Sequence, residues 1–468
     1  MIARPFLLRR LLELKVVDEP AADALEHDGI VTAADLELAI AERRPRVAAP
    51  EFARAAAALA RDPRPLPLGR AWDIAAALIS AIESHCPLVE SVEVSGGIRR
   101  AEPLVSGIVI AGRALDPVRA TDQLAALPLA TEILLRAARR LVLVFQGHEI
   151  DVRLAAPDEY GTLLFTTTGP GRHVADVLGR RAPRLAATEA EVYAHAGLAW
   201  LPAETRHAAD AIARAASRSV PELVDRLHIR GDLHMHTSYS DGRDTLRQMV
   251  HAARLQGYEY IAITDHSEHA GASRTLSLDD LARQREEIMR IREQVRDMTI
   301  LHGIEVDILP DGSLDCPDKA LAALDIVLAS LHEREGQDGA RLTRRCLNAI
   351  RHPLVSVITH PSNQLVGRRP GYDMDYPALY AAAAETHTLL EVDGGPAHLD
   401  LSGERAGEAI AAGVTLVIDS DCHRAPALDR QMRMGVGTAR RGWVEPRHVL
   451  NTRSLAEVRA FLARKRGR

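Results

Sequence analysis

The sequence predicts a multidomain α/β protein. A helical segment and a small α+β region fill the first half, and a closed parallel (β/α) barrel of about seven units fills the second. Three observations predict this. From Arg230 onward, near-continuous apolar runs alternate with helical patterns, as in a parallel sheet covered by helices. Imidazole and carboxylate side chains recur at the ends of those runs, where parallel β/α architecture gathers functional groups. The histidines are also lopsided: six of the 20 precede residue 228 and fourteen lie from His228 onward.

The 468 residues are 47% apolar and 26% charged, an ordinary soluble globular balance with room for two to four domains. This composition excludes a mainly disordered chain, a collagen-like chain and a small disulfide scaffold. A net charge of −6 argues against gripping nucleic acid by bulk charge and leaves room for a local basic groove. Cys86, Cys316, Cys346 and Cys422 form no C-x-x-C pair, so reduced thiols in a cytoplasmic protein are expected. The N-terminus has two arginines inside its apolar stretch and reads as an amphipathic helix rather than a signal peptide. No apolar run approaches the ~20 residues of a membrane span. Lys15, Lys319 and Lys465 are the lysines; Schiff-base chemistry needs an amine, so the first half offers it only Lys15.

Along the chain, residues 1–60 read as short helices, one opened by a capping box from Thr32 to Asp35 and running through Ala41. Arg61 to Arg70 is a turn-rich boundary, and a helix follows from Ala71 to His85. The runs VESVEVSGG, LVSGIVIAG, LVLVF and EIDVRLA are short and β-branched, which predicts strands. Residues 120–140 read as helical. Thr188 and Glu191 cap a helix ending near Gly197, and an Ala-rich helix to Val224 serves as a connector. In the second half the apolar runs are YIAITDH, TILHGIEVDI, DIVLASLHE, LVSVITHP, TLLEVDGG and TLVIDSDCH. Helices over Ser277–Asp297, Ala340–Arg351 and Tyr376–Thr386 alternate with them, and Ser454 with Glu457 caps a last helix.

The placement of ligand-type side chains carries the functional prediction. His234 and His236 alternate on one strand face, and Asp241 follows in a Ser-Asp-Gly turn. Later strands end in or carry His266, Glu305, His332, His360 and the alternating pair Asp421 and His423. Strands distant in sequence would therefore deliver nine ligands to one rim. Imidazole mixed with carboxylate suits zinc, manganese or iron better than calcium or magnesium. Nine ligands imply two or three ions sharing carboxylates. His228, His251, His352 and His448 lack such placement and read as structural.

The segments GDLHMHTSYSDG, AITDHS, GIEVDILPDGSLD, ASLHE, THP, GRRPGYDMD and GVGTARRGW resemble the polymerase-and-histidinol-phosphatase (PHP) domain of bacterial family X DNA polymerases over residues 229–468. The resemblance implies a distorted (β/α)7 TIM-like PHP barrel with a trinuclear metal centre. It places one ion on His234, His236, Glu305 and Asp421. A second shares Glu305 and takes His332 and His360, and a third takes Asp241, His266 and His423. His234, His236, Glu305, Asp421 and His423 are the expected catalytic set. Arg368, Arg369, Arg440 and Arg441, read as lying in Gly-containing loops, either hold phosphate by forked hydrogen bonds or are solvated loop arginines.

A weaker resemblance runs through residues 25–210, to the nucleotidyltransferase core of the same polymerases. There the family's phosphate-binding serine is replaced by Gly97 and two metal-binding aspartates by Gly107 and Val109, which leaves Asp151 alone. One carboxylate cannot hold the two Mg²⁺ of nucleotidyl transfer. Arg99, Arg100 and Arg172 remain as candidate phosphate contacts. The segment RRPRVAAPEFARAAAALAR lacks the glycine of a DNA-cradling helix-hairpin-helix turn. The expected organisation is a reduced helical domain (1–60), a degenerate nucleotidyltransferase-like core (61–205), a helical connector (206–228) and a PHP phosphoesterase (229–468). The expected activity is a metal-dependent 3′→5′ exonuclease or DNA 3′-end processing enzyme in repair, with DNA as its partner. The alternative is a small-molecule, histidinol-phosphatase-like phosphatase.

Overall fold

The computed structural model describes residues 5–467 apart from 32, 61–64, 129–131, 183, 272–273 and 333–336. The chain forms two compact units, Met1–Ser219 and Val220–Arg468.

In the first unit, short helices such as Phe6–Glu13, Glu19–His27 and Ala33–Ala41 bury one apolar stripe each around Leu8, Leu11, Leu25 and Leu36. Thr32, the expected cap, lies outside the described residues, as do Arg61 to Arg64 of the expected boundary. A short ribbon pairs β1 (Leu66–Pro67) with β3 (Leu104–Val105). Between them the helix Leu68–His85 starts three residues earlier than the boundary reading placed it, with Pro67 as its N-cap. A five-stranded sheet holds β2 (Ser91–Val94), β4 (Ile108–Arg113), β5 (Glu132–Ala137), β6 (Arg140–Phe145) and β7 (His148–Ala155) in the order β2-β4-β7-β6-β5. The β4–β7 pair is parallel and places Val109 beside Asp151.

Two readings need correction here. Residues 120–140 are not one helix: Pro117–Ala125 is helical, but Glu132–Ala137 forms β5. The run EILLRA mimics helical spacing, yet a tight connection through 138–139 lets it pair antiparallel with β6, with a register shift between Ile133 and Leu135. The Ala-rich connector helix stops at Ser217 rather than Val224, because Arg218 turns left-handed and Pro221 follows. The Thr188–Glu191 capping box forms as expected on Glu189–His195.

The second unit is a nearly closed parallel barrel. Its strands are β8 (Gly231–Asp232), β9 (Tyr260–Ile263), β10 (Thr299–Asp307), β11 (Ile326–Ser330), β12 (Val357–Ile358), β13 (Leu389–Asp393) and β14 (Leu416–Asp419). They neighbour one another in chain order, as repeated right-handed β-α-β crossovers produce. The ends of the sheet meet: Met235 bridges Cys422, the His236 amide donates to the Cys422 carbonyl at 2.9 Å, and the Leu233 amide donates to Asp419 Oδ1 at 2.7 Å. β8 is a two-residue ladder, so His234 and His236 lie on the extended run just past the strand rather than within it.

Alternation divides the barrel's apolar residues between two cores. Outward-facing Ile261, Ile263, Val327 and Ile418 pack on the covering helices. Inward-facing Ala262, Leu301, Leu328, Val357, Leu389 and Val417 pack with Val458 and Leu462 of the C-terminal helix Leu455–Lys465. Each fully buried aliphatic side chain contributes about 1.5–3 kcal/mol, so this helix stabilises the barrel's inner core. Polar ligands are thereby left for the strands' C-terminal ends.

Candidate metal centre

The nine predicted ligands all lie at or just beyond the C-terminal ends of barrel strands, and the fold brings them together around Glu305. Glu305, in β10, is fully buried. Its Oε2 lies 2.8 Å from His266 Nδ1 and 3.5 Å from His234 Nε2. Its Oε1 lies 3.0 Å from His360 Nε2 and 3.7 Å from His332 Nε2. Asp421 Oδ1 lies 3.0 Å from His236 Nε2 and 3.5 Å from His234 Nε2. Asp241 Oδ1 lies 3.2 Å from His423 Nε2 and 3.5 Å from His266 Nε2. The His236 ring is stacked between His266 and His423, at 4.2 Å from each.

Three overlapping groups have ligand atoms within 4.8 Å of one another: His236, Asp241, His266 and His423; His234, His236 and Asp421; His266, Glu305 and His332. His266 thus faces both Asp241 and Glu305, whereas the family resemblance assigned it to one side only. The donor set fits divalent cations. His234 and His236 point Nε2 at Nε2, 3.0 Å apart. Among the described residues, buried Glu305 Oε2 and Asp241 Oδ1 have no hydrogen-bond partner, which is costly unless a cation receives their lone pairs. His360 and Asp421 also take left-handed backbone, φ 26° and 48°, strain of the kind stored at functional sites.

The electrostatics follow from this packing. Burial alone would raise the Glu305 carboxyl, but His234, His266 and His332 outweigh it and hold it well below the usual range. Burial also opposes the Asp241 charge, yet His423 and His266 bring that group down to about 2. His236 is pushed down to about 3 by burial, with His266 and His423 adding to the effect, so its lone pair is available for ligation.

Side chains that the sequence reading missed hold the ligands in place. Glu391 accepts from His234 Nδ1 and from the His360 amide, both at 2.7 Å. Asp307 sits 2.5 Å from His332 Nδ1. Asp265 accepts from the amides and hydroxyls of Thr237 and Ser240 and from Gln284 Nε2. That grip fixes the turn carrying Asp241. Gly242 closes the turn so tightly that a Cβ there would lie 2.6 Å from the Thr237 nitrogen. His398 stacks on His360 at 4.9 Å, and its Nδ1 lies 2.9 Å from the Gln364 carbonyl. Such outer partners orient ligands and set their tautomers. The available signal was alternation: Asp307 is two residues from Glu305, and Glu391 interrupts an apolar strand.

The four predicted phosphate arginines do not form one group. Arg440 and Arg441 are not in a loop but end the helix Leu428–Arg441. The glycines of GVGTARRGW continue that helix because Gly435 packs on Gly394 and Ile418. Arg440 Nη1 donates to the Val224 carbonyl at 3.0 Å. Arg369 Nη2 donates to the Asn363 carbonyl at 2.7 Å and to its Oδ1 at 3.0 Å, bracing the loop after β12. Arg368 is exposed.

In the first unit, Asp151 is engaged by Arg140 from the neighbouring strand at 2.9 and 3.0 Å and by Arg153 at 2.8 Å. Burial opposes its charge, and these two guanidinium groups outweigh burial and lower its carboxyl. Arg99 is not open to phosphate either, because it forks onto buried Glu189 at 2.8 and 2.9 Å. Arg100 bonds Glu102 and the Thr168 carbonyl. Arg172 is exposed, with Asp176 at 4.0 Å.

Among the described residues, no helix is long and apolar enough to cross a membrane. The PHP domain family model matches residues 232–386. The chain is 34% identical to the DNA polymerase/3′-5′ exonuclease PolX of Bacillus subtilis over 425 residues, covering 86% of this chain and 74% of that protein. A probable phosphatase of Caldanaerobacter subterraneus is 30% identical over 210 residues, 42% of this chain and 78% of the phosphatase. A crystal structure of histidinol phosphate phosphatase from Lactococcus lactis, with zinc, L-histidinol and phosphate, aligns at 15% identity over 46% of this chain and 94% of its own, with a TM-score of 0.35. With the PHP motif residues in place and the long PolX match spanning the two units, the chain belongs to the bacterial family X DNA polymerases that carry a C-terminal PHP domain.

Proposed function

We propose that the protein is a metal-dependent phosphodiesterase that trims DNA 3′ ends, a 3′→5′ exonuclease of DNA repair acting in the cytoplasm, and that its polymerase-like half is catalytically silent. The observation that carries this reading is the convergence of six imidazoles and three carboxylates around Glu305. His234, His236, Glu305 and Asp421 would hold one divalent ion, Glu305, His332 and His360 a second, and Asp241, His266 and His423 a third. Manganese, zinc and iron match these ligands. Divalent ions at such a site supply Lewis acidity toward a phosphoester and a water of lowered pKa. The chain's own part is to fix ligand directions through Glu391, Asp307 and Asp265, and to keep a lone pair free on buried His236.

The silence of the first half is inferred from Gly107, Val109 and the neutralised Asp151. A carboxylate between two guanidinium groups has little charge left for Mg²⁺. In this reading residues 1–60 are a reduced helical domain, 61–205 a degenerate nucleotidyltransferase-like core, 206–228 a connector and 229–468 the phosphoesterase.

A second reading, a small-molecule phosphatase, is favoured by the match of the barrel region to probable phosphatases. One experiment separates the two. Purified protein with Mn²⁺ receives 5′-labelled single- and double-stranded DNA and, in parallel, a panel of phosphomonoesters. A ladder of shortened DNA supports the first reading, and monoester turnover without shortening supports the second.

A further inference from the structure

Outside the nine-residue centre, a cleft of about 260 Å³ opens beside the loops that follow β10 and β11. Pro310 and Asp311 line one side, and Gln337, Arg341, Arg344 and Arg345 the other. The three arginines come from the first turns of the helix Gly339–Arg351. Arg341 and Arg344, three residues apart, share one helix face. Both are exposed, and among the described residues neither guanidinium has an ion-pair partner. Arg345 is buried; it donates to Gln337 Oε1 at 2.9 Å and to the Ile308 carbonyl. Asp311, the acid in this lining, already accepts from the Ser313 amide and hydroxyl at 2.9 and 2.6 Å.

The cleft is tied to the metal centre by short pieces of chain. Ile308, gripped by Arg345, follows Asp307, which orients His332. Gln337 lies five residues past His332, so the two are within about 18 Å even if that segment is fully extended. A strand whose end lies at the centre can therefore place a neighbouring phosphate in the cleft, a contact that a small monoester with a single phosphate at the centre does not make. Forked guanidinium groups with no ion-pair partner among the described residues suit phosphodiester oxygens.

We propose that this cleft is the backbone-phosphate subsite for the substrate strand, with Arg341 and Arg344 gripping phosphates of single-stranded DNA whose 3′ end occupies the metal centre. This rests on the exonuclease reading and adds the part of the substrate that distinguishes a DNA strand from a small phosphoester.

The test uses the full chain and the double variant R341E/R344E, both at exposed positions. Binding of a fluorescein-labelled oligothymidylate is followed across NaCl concentrations in EDTA, and hydrolysis of the same oligonucleotide is compared with that of thymidine 5′-(p-nitrophenyl phosphate) in Mn²⁺. Loss of two phosphate contacts makes the slope of log affinity against log salt shallower by about 1.4 for a single strand. The kcat/KM ratio of oligonucleotide to small diester falls about 10–100-fold, through KM. Slope and ratio equal to those of the unaltered chain overturn the subsite. So does displacement of the oligonucleotide from the unaltered chain by millimolar inorganic phosphate at constant ionic strength, which assigns the cleft to a free anion. If the unaltered chain binds with the steeper slope but never shortens DNA, the exonuclease reading fails and the strand-binding cleft stands.

Discussion

Glu391 holds His234 by its Nδ1 at 2.7 Å and, through its other oxygen, the His360 amide at the same distance. One buried carboxylate thus orients two ligands from different strands. Burial would push the His234 imidazole down; Glu391, Glu305 and Asp421 outweigh it and hold it well above the ordinary histidine value. Glu391→Gln keeps the shape and weakens that grip. We expect metal affinity to fall about 10–100-fold, measured by calorimetric titration with Mn²⁺ or Zn²⁺, with an unchanged circular dichroism spectrum.

His234→Ala and Asp421→Ala each remove a ligand near the middle of the cluster. Turnover of whichever phosphoester the protein accepts should drop by about 10²–10³-fold or more. Chelation should mimic the loss, and added metal should restore activity only to the unaltered chain. Full activity in both variants would refute the site assignment.

Gly242→Ala tests the turn that carries Asp241. The new methyl group would lie 2.6 Å from the Thr237 nitrogen and 2.7 Å from the His236 carbonyl, so the turn must shift. The cost to stability should be about 1–3 kcal/mol. Metal content by mass spectrometry should fall by one ion per chain while the remaining ions stay bound.

The first unit should be acid-sensitive from near neutrality. Burial pushes His173 down to about 4, and Arg206 adds to the shift. Between its unfolded value of 6.5 and that figure, only the unfolded chain takes the proton, so stability falls as pH falls. Glu189 adds a second, lower step. Burial opposes its charge, but Arg99 and Arg206 outweigh burial and hold its carboxyl below 4.5, so its contribution is present above 4.5 and is lost as pH falls through the depressed value. Hydrogen exchange should speed up in peptides covering Tyr160–Leu178 and Glu189–His195 as pH is lowered from 7 to 4, after correction for the intrinsic pH dependence of exchange. Flat protection would contradict the pairing.

Asp151→Ala should leave templated nucleotide incorporation at background, as in the unaltered chain. It should cost about 1–2 kcal/mol of stability, because Arg140 and Arg153 lose their shared partner. Incorporation that requires Asp151 would overturn the view of this half as silent.

The alternating spacing of His234 with His236 and of Asp421 with His423, and the recurrence of ligand-type side chains at strand ends, make the cluster legible in the sequence. The supporting shell was harder to read. Glu391 and Asp307 sit inside apolar strands, and their partners are set by how neighbouring strands align, which one strand's spacing does not contain. The same limit applies to Asp151: its pairing with Arg140 depends on the β6–β7 register. Glu132–Ala137 failed for a different reason, since a hairpin partner outweighed local spacing. Arg440 and Arg441 failed because a glycine pair that looks like a loop signal is a helix packing contact.

The meeting of the first and last barrel strands has a consequence for biosynthesis. Leu233 is tied to Asp419, and His236 to Cys422, across nearly the whole second unit. A nascent chain interrupted before β14 carries seven of the nine ligands and no seam to hold them in a ring. A metal ion held by all three groups would therefore require β14 and the ligands behind it to have been made, and a loaded centre would mark a completed barrel.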